Sequence, residues 1–80
     1  MSEVPASTIQ IYIQLLDEGS PVARPTEAKI VGPGEFLVLP TPDYDPEDEH
    51  WEFPPGSVVQ CVRERGHDGD DFLLAQKRLR

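Results

Sequence analysis

Eighty residues carry 15 Asp and Glu against 7 Lys and Arg, a formal net charge of −8, with 38% hydrophobic residues, nine prolines and six glycines. A chain this short folds as one thin domain that buries only about 60–65% of the surface its unfolded form exposes. A membrane-spanning helix is excluded, because it needs roughly 20 apolar residues and no apolar run is longer than Phe36-Leu37-Val38-Leu39.

Residues 1–7 are small, polar and Pro-containing, and they read as a disordered N-terminal tail before a single domain over 8–80. Ile9, Ile11, Ile13 and Leu15 then alternate with Gln10, Tyr12, Gln14 and Leu16. Period 2 with β-branched residues predicts a half-buried strand. Asp17-Glu18-Gly19-Ser20-Pro21 is a polar turn cluster that ends it. Val22 to Val31 predicts a second strand with Thr26, Ala28 and Ile30 inward and Glu27 and Lys29 in water. Pro25 lacks an N–H, so it belongs at an edge, a bulge or a strand start. Gly32-Pro33-Gly34 reverses the chain, and Glu35 to Leu39, apolar on both faces, predicts a short central strand.

Pro40 to Gly56 is a long irregular connector holding five prolines, Tyr44, Trp51 and Phe53. Connections beyond about 12–15 residues tend to be functional or disordered. Within it, Asp45-Pro46-Glu47 suits one helical turn, with Asp at the cap and Pro at the first position. Pro54-Pro55-Gly56-Ser57 feeds a fourth strand whose apolar positions are Val58, Val59, Cys61 and Val62. Gly66-His67-Asp68-Gly69-Asp70 turns the chain into a fifth, Phe72-Leu73-Leu74-Ala75 and beyond. Residues 58–65 and 71–77 should pair as a closing hairpin, since sequential strands usually lie side by side. The expected class is all-β: a small five-stranded SH3-like barrel, or two orthogonal sheets, with a long acidic loop. A barrel so thin should leave no cleft of the usual size, roughly 300 Å³ or more.

Three segments, Tyr12-Ile13-Gln14-Leu15-Leu16-Asp17-Glu18-Gly19, Arg24-Pro25 with Glu27-Ala28, and Trp51-Glu52-Phe53-Pro54-Pro55-Gly56-Ser57-Val58-Val59, resemble a set of short bacterial proteins without an assigned function. Together they hold 21 of the 80 residues. The resemblance implies a folded bacterial family and carries over no catalytic residue.

Charge is unevenly placed. Asp43, Asp45, Glu47, Asp48, Glu49 and Glu52 fall in one window without a Lys or Arg among them. That field attracts basic partners or keeps the chain dissolved. It does not match a Ca²⁺ loop: counted from Asp43, the Gly and Glu positions of an EF-hand hold Asp48 and Pro54. Aromatics beside acids can bind a Pro-rich or basic peptide, which makes Tyr44, Trp51 and Phe53 candidate binding residues. The competing placement puts Trp51 and Phe53 inside as core, because so short a chain needs their area; Tyr44 is then the exposed member.

Other groups point to bland roles. Cys61 sits in an apolar strand run, so it reads as a small buried hydrophobe rather than a nucleophile paired with His67. As the sole cysteine it forms no internal disulfide. His50 and His67 lack a second ligand at zinc spacing. Arg63, Arg65, Lys77, Arg78 and Arg80 could converge on the last hairpin, but Glu64, Asp68, Asp70 and Asp71 interrupt them, which favours cross-strand charge pairing over nucleic-acid binding.

The expected function is a non-enzymatic interaction module with no cofactor and no metal. It would present Tyr44, Asp45, Glu47, Asp48, Glu49, Trp51 and Phe53 to a basic protein partner. One alternative is an acidic inhibitor or nucleic-acid mimic. Another is a weak nucleic-acid binder through the C-terminal basic strand. Homodimerisation by edge-strand pairing is a further expectation. Met1-Ser2-Glu3-Val4-Pro5 offers neither the basic nor the apolar region of a secretory leader, so the expected compartment is the cytoplasm.

Overall fold

The computed structural model describes residues 8–17, 19, 22–66 and 69–80. The expected N-terminal tail and His67 lie outside the described residues, as do Glu18, Ser20, Pro21 and Asp68 of the two turns. Six strands follow in chain order: β1 (Thr8–Leu16), β2 (Ala23–Gly32), β3 (Glu35–Val38), β4 (His50–Trp51), β5 (Val58–Arg65) and β6 (Asp71–Arg78). No helix among the described residues is long and apolar enough to cross a membrane.

Five strands close a ring. β1 pairs β2, β2 pairs β3, β3 pairs β5 and β5 pairs β6, all antiparallel, and β6 returns to β1 in parallel. The expected all-β barrel is therefore present. The closing hairpin over 58–65 and 71–78 is also present, with a register shift between Gln60 and Cys61. The sixth strand, β4, was not anticipated: it lies inside the connector and pairs with the end of β1.

Alternation decides which face is buried. On β1, Ile11 and Ile13 are fully buried, and Ile9 and Leu15 pack against the core from either side. Thr26 and Ala28 supply the matching inward positions of β2. The Thr26 hydroxyl donates to the Leu39 carbonyl at 2.6 Å, which satisfies it. Val38, Val59, Ala75, Trp51 and Phe53 complete the core. Ile30 departs from the expected inward placement, being 44% exposed. Ile30 keeps its register opposite Phe36 but lies one position past Lys29, where the β1 ladder ends among the described residues. Pro25 lies opposite Tyr12, before β3 begins to pair at Ala28, so its missing N–H falls where β2 has β1 alone beside it.

Candidate functional site

The connector is folded onto the barrel. Asp45 caps a single turn: its Oδ1 accepts the Glu47 N–H at 2.9 Å, and its carbonyl accepts the N–H groups of Asp48 and Glu49, both at 2.9 Å. Pro46 stands at the first position of that turn, where no N–H is needed. Beyond it, Trp51 pairs with Leu15 and His50 with Leu16. The Glu52 N–H donates to the Gln14 carbonyl at 2.8 Å.

Side chains hold the same segment. Trp51 is 5% exposed and Phe53 7%, both inside the core, so neither offers a surface to a partner. This corrects their place among the candidate binding residues. Burial wins because these rings fill one side of a barrel lined otherwise by aliphatic side chains. Tyr44, expected on the surface, is half-buried and packs against the core. Its ring meets Trp51 edge to face with centroids 4.7 Å apart.

Glu49 is engaged as well. One carboxylate oxygen accepts the Arg24 guanidinium, and the other accepts the Trp51 indole N–H at 3.0 Å. His50 Nδ1 lies 2.7 Å from Oδ2 of Asp17, the residue just after β1, a further tie between connector and barrel. Of the acidic window, Asp43, Asp45, Glu47, Asp48 and Glu52 remain exposed. Asp43, Glu47, Asp48 and Glu52 form no ion pair among the described residues. No group of three or more His, Cys, Asp or Glu among the described residues is placed to hold a metal ion.

The basic residues are divided. Arg63 and Arg65 approach the two oxygens of Asp71 at 3.8 and 3.9 Å, the cross-strand pairing expected from sequence. Arg80 reaches Glu35 at 3.3 Å. Cys61 is partly buried, and desolvation pushes its thiol from an ordinary value of 9.0 up to about 11. That direction opposes a nucleophile, which needs the thiolate.

A second feature was not legible as a site. A groove of about 680 Å³ opens beside the β1–β6 seam, lined by Ile9, Gln10, Tyr12, Phe72 and Leu73 among others. The expectation that so thin a barrel leaves no cleft is thereby overturned. It lies along the seam where β1 and β6 share one register pair, Tyr12 with Leu74. Tyr12 and Phe72 meet edge to face there, with centroids 5.0 Å apart. The available signal was Tyr12 itself, an aromatic on the outward face of β1 between two glutamines.

No protein-family model, no curated protein and no solved structure matches this chain.

Proposed function

We propose that this chain is a non-enzymatic interaction module that presents the connector over 41–53 to a basic protein partner. The observation that carries the reading is the connector's attachment. Tyr44, Glu49, Trp51 and Phe53 hold it to the barrel, while Asp43, Asp45, Glu47, Asp48 and Glu52 stay exposed. A fixed row of carboxylates steers a cationic partner and holds it in one register. Ordering is already complete before binding, so less conformational entropy is lost on association.

The test keeps the attachment intact. Asp43→Asn, Glu47→Gln, Asp48→Asn and Glu52→Gln are combined, because none of these carboxylates is in an ion pair among the described residues. Partners captured by the parent protein should be lost from this variant and released by salt. An unchanged partner list rejects the module.

The same fixed row favours a second reading, an acidic inhibitor that occupies a nucleic-acid-binding cleft, since mimicry needs carboxylates on a rigid surface. Competition separates the two. Duplex DNA displaces a partner held by mimicry and leaves a partner held elsewhere.

A further inference from the structure

The seam groove, at about 680 Å³, is of the size that small organic ligands occupy, roughly 300–1,000 Å³. Its apolar walls are Ile9 of β1 and Leu73 of β6, with the rings of Tyr12 and Phe72, which stand edge to face at 5.0 Å. Gln10 Nε2 donates to the Tyr12 hydroxyl at 3.3 Å and ties down the outer end of that ring. The β5–β6 turn, closed by the Gly66 N–H on the Asp70 carbonyl at 2.8 Å, adds Gly66 and Asp70 to the lining.

Charge in this lining has one sign. Asp70 and Asp71 are the charged groups that line the groove among the described residues, and no Lys or Arg joins them. Two cations stand near: Arg63 Nη1 and Arg65 Nε lie 3.8 and 3.9 Å from the Asp71 carboxylate, beyond hydrogen-bond length. Both belong to β5, which flanks β6 on the side away from β1, and Arg63 lines an adjoining hollow of about 230 Å³. These pairs are exposed, and exposed ion pairs are weak. A carboxylate offers about four acceptor sites, so Asp71 can take a further cation from the groove side.

We infer that the seam groove binds a small organic cation: an ammonium group on an apolar or aromatic body, with the body against Ile9, Leu73, Tyr12 and Phe72 and the ammonium toward the ring faces and Asp71. Ring faces are negative and attract a cation, and a carboxylate beside them adds to the attraction. Two observations choose this occupant. The carboxylates of the lining repel an anion and give a neutral molecule no advantage. The Tyr12–Leu74 backbone pair bridges the seam, so an extended chain cannot run along it and a compact molecule fits. No connector residue lines the groove, so this inference stands or falls apart from the acidic-surface reading.

The probe is benzyltrimethylammonium, titrated into the intact protein and followed by backbone amide shifts, with benzyl alcohol and benzoate as neutral and anionic carriers of the same ring. The ammonium should give saturable shifts at 9–12 and 70–73 and bind at least about threefold more tightly than the alcohol, the combined effect of an exposed cation–π contact and a surface ion pair. Benzoate should give none. Phe72→Leu keeps an apolar wall and removes the ring; it should weaken the ammonium about two- to fivefold and the alcohol less, with circular dichroism confirming the strand content. Asp71→Asn should weaken the ammonium at least about twofold and leave the alcohol unchanged. Equal binding of ammonium and alcohol by the parent protein would reduce the groove to an apolar surface and overturn the inference. Ammonium shifts confined to 43–52 would assign the cation to the connector and overturn it too, as would benzoate binding as tightly as the ammonium or no saturable shift at all. Each of these failures leaves partner capture by the connector unaffected.

Discussion

Tyr44→Ala tests whether the connector is held by packing. The ring is half-buried and stands edge to face on Trp51 at 4.7 Å. A tyrosine offers about 150–250 Å² for burial and a ring pair adds about 0.5–1.5 kcal/mol. Half of that area at about 25 cal/mol per Å² contributes about 2 kcal/mol, part of which Ala retains. The expected loss is therefore about 2–3 kcal/mol, a large share of the roughly 4–12 kcal/mol available to a domain of this size. At about 4–8 °C per kcal/mol, Tm should fall by at least about 8 °C. Trp51 is the sole tryptophan, so its emission reports the same event without a label. Below the transition the emission should already shift to the red, because the ring that covers the indole is gone. Asp43→Ala, next door and exposed, is the control and should stay within about 0.5 kcal/mol of the parent. A Tm within about 2 °C of the parent with unchanged Trp51 emission would refute the packing argument, and with it the fixed acidic row.

Ser57 is 1% exposed and its hydroxyl has no hydrogen-bond partner among the described residues, whereas the buried Thr26 hydroxyl has one. Ser57→Ala should leave denaturant stability unchanged or raise it by up to about 1 kcal/mol, while Thr26→Val should lower it by about 1 kcal/mol; urea titration of the two variants measures the difference. Cys61 should react slowly with a thiol reagent at pH 8 in the native state and fast in urea, because burial holds the thiol protonated up to about 11. The unfolded thiol loses its proton near 9.0 and the folded one near 11, so its contribution to stability is intact below pH 9 and declines between pH 9 and 11. Cys61→Val should remove that alkaline loss, which chemical denaturation at pH 8 and pH 10.5 would reveal.

The barrel was legible because its cues are local. Ile9, Ile11, Ile13 and Leu15 share one parity, and strand alternation sends all four to the same side. The turn at Asp45-Pro46-Glu47 was legible for the same reason, since cap and proline are adjacent in the chain. What escaped depends on distant partners. Nothing near Tyr44 announces that Trp51 will stand beside it, and nothing near Glu49 shows Arg24, 25 residues earlier, arriving to claim its carboxylate. The misplacement of Ile30 has a different origin: its parity follows the pattern, but it lies past Lys29, where the β1 ladder ends among the described residues. The groove was least legible, because its walls come from strands at opposite ends of the chain.

The seam itself follows from strand number. The ring strands β1, β2, β3, β5 and β6 alternate in direction along the chain, so with five of them the first and last run the same way. Parallel pairs have slanted bonds and are slightly less stable than antiparallel ones. Here the closing pair is Tyr12 with Leu74. Beyond it the connector supplies β4 and brings the acidic row with it; the groove lies along the same seam. One odd-numbered ring thus sets both features along a single strand.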